Sequence, residues 1–144
     1  MSVEGILRSK GTSVATIRPD ATVLELLRGL RDEGIGAMVV SDDGYHLDGI
    51  VSERDVVRAL AQVGSRVLQQ RVSEIMTTDV MTCSPTDSVK SLMELMTRHR
   101  IRHLPVMSNG RLAGIVSIGD VVKNRLDEMA TETSVLRETY LGGR

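Results

Sequence analysis

The chain has 144 residues, of which 41% are hydrophobic and 26% charged, the composition of an ordinary globular protein. Its 18 Lys and Arg residues nearly balance 19 Asp and Glu residues, and the formal net charge of -1 argues against nucleic acid or an anionic membrane as a partner. With no Phe or Trp, and with Tyr45 and Tyr140 as its two tyrosines, the chain has almost none of the aromatic side chains on which single-stranded nucleic acids stack.

The first predicted elements are a strand and a helix. The β-branched run Val14–Ile17 predicts a strand that ends before Pro19. Apolar residues at helical spacing follow from Val23, and either Asp20 or Thr22 is suited to cap the N-terminus of that helix.

Two more strands and a second helix complete the unit. The strands are predicted at Ala37–Val40 and Leu47–Val51, around Asp43-Gly44, a dipeptide that tolerates the positive φ angles of a hairpin turn. The helix is expected after Ser52. Its inward-facing residues are predicted to be Val56, Val57 and Leu60.

The same pattern then occurs again. Val14 aligns with Val80, Pro19 with Pro85, and Gly49-Ile50-Val51-Ser52 with Gly114-Ile115-Val116-Ser117, after one extra residue in the first copy. Because Pro105 has no N–H to donate, its strand is expected to have an unpaired edge there. The second copy is predicted to comprise strands Val80–Cys83, Leu104–Met107 and Leu112–Val116, a helix capped by Asp87 or Ser88, a turn at Asn109-Gly110, and a helix after Ser117 with Val121 and Val122 facing inward.

The predicted fold is therefore a mixed α/β (α+β) one, with two β-α-β-β-α repeats packed by pseudo-twofold symmetry into one module. A single unit of this size would bury too little surface to be stable, whereas two copies can cover each other's open faces. We expect residues 1–70 to hold the first repeat with an N-terminal segment and linker, 71–130 the second repeat, and 131–144 a polar C-terminal tail.

One polar motif, Gly-Ile-Val-Ser-x-x-Asp, occurs in both copies and ends at Asp55 and at Asp120. Ser-x-x-Asp before a helix is the spacing of a capping box, which would make these residues structural. The junction of a strand and a helix is also where α/β units bind ligands, and a carboxylate there can accept hydrogen bonds from both hydroxyls of a ribose. The spacing alone leaves both interpretations open.

The copies differ in charge at one place. Arg100, Arg102 and His103 precede the strand at Leu104 and could bind phosphate or form a solvated basic edge. The corresponding positions of the first copy are small: Gly34, Gly36 and Ala37. We therefore expect the two halves to bind anionic ligands unequally.

Four sequence segments resemble those of paired CBS domains: GIVSERDVVRAL, VSEIMTTDVMT, RIRHLPV and GRLAGIVSIGDVVK, within residues 2–128. The chain is most similar to stand-alone bacterial and plant CBS-pair proteins without a catalytic domain. The resemblance implies two clefts between the repeats, in which the motif Asp holds the ribose and aliphatic side chains flank the adenine.

Carried over residue by residue, the resemblance implies two sets of nucleotide-binding residues. One cleft would contain Ser117, Asp120, Thr12, Ala15, Gly36 and Ala37, with Arg102 and His103 near phosphate. The other would contain Ser52, Asp55, Thr78, Met81 and Ile101, with Arg54 as a possible phosphate partner.

Taken together, these features predict a non-enzymatic regulatory module that binds an adenine nucleotide, AMP, ADP, ATP or NAD, as a ligand. The resemblance also implies a homodimer and a regulated protein that the sequence does not identify. The alternative is a dimerisation or partner-docking module without ligand. Catalysis is disfavoured because the chain has neither a nucleophile elbow nor a phosphate-binding loop that ends in Lys-Ser/Thr.

The remaining exclusions concern metals and membranes. With Cys83 as the single cysteine, and with histidines that share no metal-ligand spacing, we expect no internal disulfide and no metal site. The first ten residues lack the apolar run of a signal peptide, and no stretch approaches the roughly 20 apolar residues of a membrane span. A cytoplasmic protein with no membrane contact is expected.

Overall fold

The structure is a computed structural model that describes the backbone of residues 1–142 and the side chains of residues 1–138. In chain order its elements are α1 (Val3–Lys10), β1 (Thr16–Ile17), α2 (Val23–Glu33), β2 (Ala37–Val40), β3 (Gly49–Ser52), α3 (Glu53–Val63), a 3-10 helix (Gly64–Gln69), α4 (Val72–Ile75), α5 (Val89–His99), β4 (His103–Ser108), β5 (Arg111–Ser117) and α6 (Ile118–Gly142).

The first repeat contains a three-stranded sheet in the order β1-β2-β3. Strand β1 runs parallel to β2, with Thr16 opposite Val39, and β2 runs antiparallel to β3, with Ala37 opposite Ser52. The predicted β-α-β-β-α order is confirmed here, and the mixed α+β fold with it.

The second repeat has a longer hairpin and a shorter first strand. Asn109 (φ 54°) and Gly110 (φ 76°) form the turn between β4 and β5, as their dipeptide predicts. The predicted strand Val80–Cys83 is reduced to one bridge between Cys83 and Val106. Because the carbonyl of Pro105 accepts from the N–H of Cys83, the proline nitrogen faces that sparsely paired edge.

Caps and burial define the orientation of the helices. The hydroxyl of Thr22 accepts from the N–H of Glu25 at 3.1 Å, and that of Ser88 from the N–H of Ser91 at 3.0 Å, so these residues are the N-caps. The predicted inward orientation is confirmed for Val56 and Val121, which are 7% and 2% exposed. It is wrong for Val57 and Val122, which are exposed, because adjacent residues on a helix point about 100° apart. It is also wrong for Leu60, which is 47% exposed although it lies one turn after Val56; Ala59 is the buried residue of that turn.

The two halves exchange their N-terminal helices. Helix α1 precedes the first repeat in the chain but packs in the core of the second, while α4 packs in the core of the first. Equivalent hydrogen bonds hold both: the N–H of Val3 donates to the carbonyl of Asp87 at 2.9 Å, and that of Val72 to the carbonyl of Ala21 at 2.8 Å. This reciprocity gives the fold its pseudo-twofold symmetry.

Most of the C-terminal segment predicted from the sequence as a polar tail, residues 131–144, belongs to helix α6. Helix α6 continues to Gly142, since no Gly or Pro interrupts the chain between Gly119 and Gly142 and many of the intervening residues favour helix. Leu136 on this helix is exposed. Gly143 and Arg144 lie outside the described residues.

Candidate functional site

Two clefts lie between the repeats, one beside each aspartate of the repeated motif. The Asp55 cleft has a volume of about 370 Å³ and combines the start of α3 with residues of the second repeat. It is lined by Gly36, Ala37, Ile50, Ser52, Glu53, Arg54, Asp55, Thr77, Asp79, Val80, Met81, Arg100, Ile101, Arg102 and His103.

The Asp120 cleft, at about 480 Å³, combines the start of α6 with residues of the first repeat and the end of α1. It is lined by Lys10, Ser13, Ala15, Glu33, Gly34, Ile35, Gly36, Ala37, His103, Ile115, Ser117 and Asp120.

Each motif aspartate caps its own helix and also faces a cleft. The backbone N–H of Ser52 donates to Oδ2 of Asp55 at 2.8 Å, and that of Ser117 to Oδ2 of Asp120 at 2.9 Å. In both carboxylates, every hydrogen bond from a described residue goes to Oδ2, and Oδ1 accepts none. A capping role and a ligand-binding role are therefore compatible at both positions.

The aspartates differ in the cations around them. Nζ of Lys10 lies 2.6 Å from Oδ2 of Asp120 and donates a second hydrogen bond, of 2.9 Å, to the carbonyl of Ile115. Burial favours the protonated acid, but the hydrogen bonds from Lys10 and from Ser117 outweigh it and lower the pKa of Asp120. Asp120 is therefore ionised and paired at neutral pH.

His103 lies at the boundary between the clefts and lines both. Its burial lowers the pKa of the imidazole, and the positive charges of Lys10 and Arg102 lower it further, against the opposing effect of Asp120. Neutral His103 can donate one hydrogen bond and accept another, but it adds no fixed charge to either cleft at neutral pH.

Three arginines contribute positive charge to the Asp55 cleft: Arg54, Arg100 and Arg102. Arg100 ends helix α5 in the left-handed conformation, with φ 53°, where the first repeat has Gly34 with φ 66°. A side chain in that conformation costs roughly 1 kcal/mol relative to glycine. The second repeat thus carries a guanidinium in the cleft at a position where glycine would be more stable.

A model of the CBS domain matches residues 6–62 and 72–127 of the chain, one match for each repeat. The chain belongs to the CBS-domain family. Its two matched segments are the halves of a CBS pair, the regulatory module of this family.

Relatives of known structure share this arrangement. The CBS-domain containing protein ATU1752 from Agrobacterium tumefaciens is 47% identical, with a TM-score of 0.84 over 87% of this chain and 99% of that one. The CBS domain pair of protein MJ0100, solved in complex with 5'-methylthioadenosine and S-adenosyl-L-methionine, is 26% identical, with a TM-score of 0.75 over 85% of this chain and 98% of that one.

A relative compared by sequence is the mitochondrial CBS domain-containing protein CBSX3 of Arabidopsis thaliana. It is 33% identical over 150 residues, which span 99% of this chain and 73% of the relative. Within residues 1–142 of the present CBS pair, no helix is long and apolar enough to cross a membrane. No group of three or more His, Cys, Asp or Glu residues in the described part of the chain could hold a metal ion.

Most of the predicted site residues line the cleft in which they were expected. The structure brings Ala15, Gly36, Ala37, His103, Ser117 and Asp120 together in one cleft, and Ser52, Arg54, Asp55, Met81 and Ile101 in the other. Thr12 and Thr78 line neither. Ser13 and Asp79 line the clefts instead, since extended backbone places them on the same side as Ala15 and Met81.

The expectation that Arg102 lies beside Asp120 is wrong, because Arg102 lines the Asp55 cleft. Pseudo-twofold symmetry explains the error. Gly36 and Arg102 occupy equivalent positions, and each lines the cleft that holds the aspartate of the other repeat: Gly36 that of Asp120, and Arg102 that of Asp55. Gly36 also lines the Asp55 cleft. The cation-rich cleft of this CBS pair is consequently the Asp55 cleft.

The sequence names Arg100 as a possible phosphate-binding residue without assigning it to a cleft, and the structure places it in the Asp55 cleft. Lys10 is a cleft residue that the sequence prediction does not include. It is the last residue of α1, and at the offset of 66 that relates Val14 to Val80 it aligns with Met76, so no basic residue of the second copy marks it as a site residue.

Proposed function

We propose that this CBS pair is a sensor that binds adenine nucleotides in the Asp55 and Asp120 clefts and passes the information to another protein. The observation that carries the proposal is the position of the two aspartates. Each has one carboxylate oxygen in a helix cap and lines a cleft between the repeats with the other oxygen available. A carboxylate so placed can accept hydrogen bonds from both ribose hydroxyls.

The walls of both clefts suit a purine base. Aliphatic side chains line them: Ile50, Val80, Met81 and Ile101 in one, Ala15, Ile35 and Ile115 in the other. Apolar surfaces of this kind can bury the faces of adenine without aromatic stacking. The adenosine compounds bound by the similar CBS pair of MJ0100 support a ligand that contains adenosine.

The Asp55 cleft is the better site for phosphate. Arg54, Arg100 and Arg102 line it, and none of them forms an ion pair with a described residue. Guanidinium groups bind phosphate oxygens in bidentate geometry. We therefore propose AMP, ATP or NAD as the ligand of this cleft, and unequal affinities for the two clefts.

Signalling is proposed to pass through a homodimer. Apolar side chains on the outer faces of α3 and α6 are exposed in the single chain, as expected of a surface that a second copy covers: Val57, Leu60, Val122, Leu126 and Met129. Because each cleft lies between the repeats, a ligand that favours one relative orientation of the repeats also favours one shape of the dimer.

No catalytic step is part of the proposal. Cys83, the one thiol of the chain, is buried, and this burial raises the pKa of Cys83 to about 12, so a reactive thiolate is disfavoured. The cytoplasmic location predicted from the sequence stays a prediction, since one relative is mitochondrial.

Thermal-shift and calorimetric titrations with AMP, ADP, ATP, NAD and S-adenosylmethionine test the proposal. A ligand at 100 times its dissociation constant should add about 2.7 kcal/mol to the free energy of unfolding. Asp55→Asn and Asp120→Asn should each abolish binding in one cleft and leave the fold intact.

Asp87→Asn is the matched control. The carboxylate of Asp87 also accepts a backbone N–H three residues earlier, that of Ser84 at 2.8 Å, but it lines neither cleft. Its loss should leave the affinity for every ligand unchanged. If no adenine compound shifts the melting temperature, a partner-docking module becomes the better interpretation, and the exposed face of α3 and α6 is then the surface to examine.

A further inference from the structure

Lys10 is an unusual component of the Asp120 cleft, because it comes from α1, which precedes the strands of the first repeat but packs in the core of the second. It is the last residue of α1, a helix held in the core of the second repeat by Val3, Ile6 and Leu7. From there its side chain, 31% exposed, reaches the Asp120 carboxylate, which is 22% exposed. The ammonium of Lys10 therefore binds the same carboxylate, that of Asp120, which binds the ribose in the proposed function.

The Asp55 cleft has no counterpart of this ion pair. The hydrogen bonds of Asp55 come from the N–H and hydroxyl of Ser52, and it pairs with no cation among the described residues. A ribose can therefore bind both oxygens of Asp55 without displacing a charged group, whereas a ribose that binds both oxygens of Asp120 competes with Lys10 for Oδ2.

Displacement of Lys10 has a predictable consequence for ligand choice. An ammonium that loses its carboxylate partner in a partly buried cleft is left with an unpaired, partly desolvated charge. A neutral nucleoside offers hydroxyls to Asp120 but no anion to Lys10. A nucleotide offers both, because its phosphate can accept the hydrogen bonds that the carboxylate gives up.

We propose that Lys10 makes the Asp120 cleft selective for anionic nucleotides over neutral nucleosides, by exchanging the carboxylate of Asp120 for a ligand phosphate. The proposal rests on the proposed function, since it assumes that Asp120 binds ribose. It also divides phosphate recognition between the clefts: three arginines in the Asp55 cleft and one lysine in the Asp120 cleft.

The local structure allows such an exchange. A lysine has four rotatable methylene groups and three donors, so its ammonium can move by several ångströms while its backbone stays in place. Gly11, the residue after Lys10, has φ 100°, and no atom lies within 4 Å of the position that a β-carbon on Gly11 would take. The backbone just after Lys10 is therefore not tightly packed. Helix α1 can remain docked throughout.

The test compares AMP with adenosine in proteins that carry Asp55→Asn, so that binding reports on the Asp120 cleft. Isothermal titration should give a higher affinity for AMP than for adenosine while Lys10 is present. Lys10→Met, which keeps the aliphatic stem, should reduce the ratio of the two affinities by about tenfold or more, through weaker AMP binding and unchanged or tighter adenosine binding. Lys10→Arg should keep a high ratio.

Arg8→Met is the matched control, since Arg8 lies on the same helix and forms an exposed ion pair with Glu4 outside both clefts. Melting curves establish that each variant is folded. The proposal is overturned if the ratio of AMP affinity to adenosine affinity in the Asp55→Asn/Lys10→Met protein is within twofold of that in the Asp55→Asn protein. It is also overturned if neither of these two proteins binds AMP or adenosine in the Asp120 cleft. Failure of the proposed function is distinct, because the wild-type protein would then bind AMP in neither cleft.

Discussion

Gly114 of strand β5 lies against Leu7 of helix α1, and a β-carbon on Gly114 would lie 2.7 Å from Cδ2 of Leu7. The equivalent glycine of the first repeat, Gly49, is as crowded: a β-carbon there would lie 2.7 Å from the carbonyl oxygen of Thr77 and 2.9 Å from Sδ of Met76. The glycine that opens each Gly-Ile-Val-Ser motif therefore makes room for the segment exchanged from the other half.

Replacement of this glycine should destabilise the fold. Gly114→Ala is expected to lower the free energy of unfolding by about 1–3 kcal/mol, because the added methyl group overpacks the contact with Leu7. Gly49→Ala should lower it more, since its nearest neighbour is a backbone carbonyl that cannot move as a side chain can. Urea unfolding monitored by circular dichroism measures both effects.

A second substitution distinguishes overpacking from other causes. In combination with Leu7→Ala, Gly114→Ala should cost less than it does alone, because the space that the methyl group needs is then free. Gly5→Ala is the control, since Gly5 is helical with nothing within 4 Å of its added β-carbon, and it should be neutral or stabilising. Strict additivity of the Leu7 and Gly114 substitutions would contradict the packing explanation.

Arg100 should show an opposition between stability and ligand binding. Arg100→Gly relieves the left-handed conformation at the end of α5 and is expected to raise the free energy of unfolding by about 1 kcal/mol. The same change removes a guanidinium from the Asp55 cleft, so the affinity of that cleft for AMP or ATP should fall by about tenfold.

Chemical denaturation measures the free energy of unfolding. Titration with AMP in an Asp120→Asn background measures the affinity of the Asp55 cleft. The reciprocal substitution, Gly34→Arg, should lower stability, because it places a side chain where φ is 66°. Equal AMP affinity with and without Arg100 would show that this arginine does not contact the phosphate.

Stability should depend on pH through His103. Because its pKa is lowered in the folded protein, the unfolded chain binds a proton at this site more readily, and the free energy of unfolding should fall as the pH drops below about 6.5. The contribution of Asp120 is lost only below about 3.8, since its pKa is lowered too, and so does not interfere.

Urea unfolding at about pH 7.5 and at about pH 5 measures this dependence. His103→Gln should lose less stability between the two pH values than the wild-type protein does, because it lacks the group that must be protonated. Lys10→Met should also reduce the loss, since one of the positive charges that lower the pKa of His103 is then gone. An identical pH dependence in wild type and His103→Gln would refute the assignment.

The repeat register and the local patterns predicted the order of the elements, because turns, caps and apolar spacing act within a few residues. The glycine at the hairpin turn and the capping residues Thr22 and Ser88 are examples. The exchange of α1 and α4 could not be predicted in this way, since a short apolar helix fits either core and only the tertiary packing selects one.

The candidate site was predictable to the same extent. Its two aspartates follow from a motif that occurs twice, and the structure places both in clefts. The assignment of Arg102 to a cleft required the symmetry relation between the repeats, and the pairing of Lys10 with Asp120 joins residues from opposite ends of the chain. Such contacts depend on the docking of α1, for which no local pattern exists.

The exposed apolar face of α3 and α6 gives a prediction about assembly. Val57 and Val122 occupy equivalent positions and are 64% and 51% exposed, whereas their neighbours Val56 and Val121 are buried. If a second copy covers this face, Val57→Glu or Val122→Glu should weaken the dimer by about a hundredfold or more, because a carboxylate would be buried without a partner. The free energy of unfolding of the monomer should change little, since both positions are exposed there.

Sedimentation equilibrium over a range of protein concentrations measures the dissociation constant of the dimer. Tyr45→Glu is the control, because it introduces the same charge at an exposed position in the loop between β2 and β3, away from these helices. The titrations with AMP should be repeated on the Val57→Glu monomer. Retained binding would show that each chain carries complete clefts, and that dimer formation serves the transmission of the signal rather than the recognition of the ligand. A wild-type protein that stays monomeric at every concentration would contradict this mode of assembly.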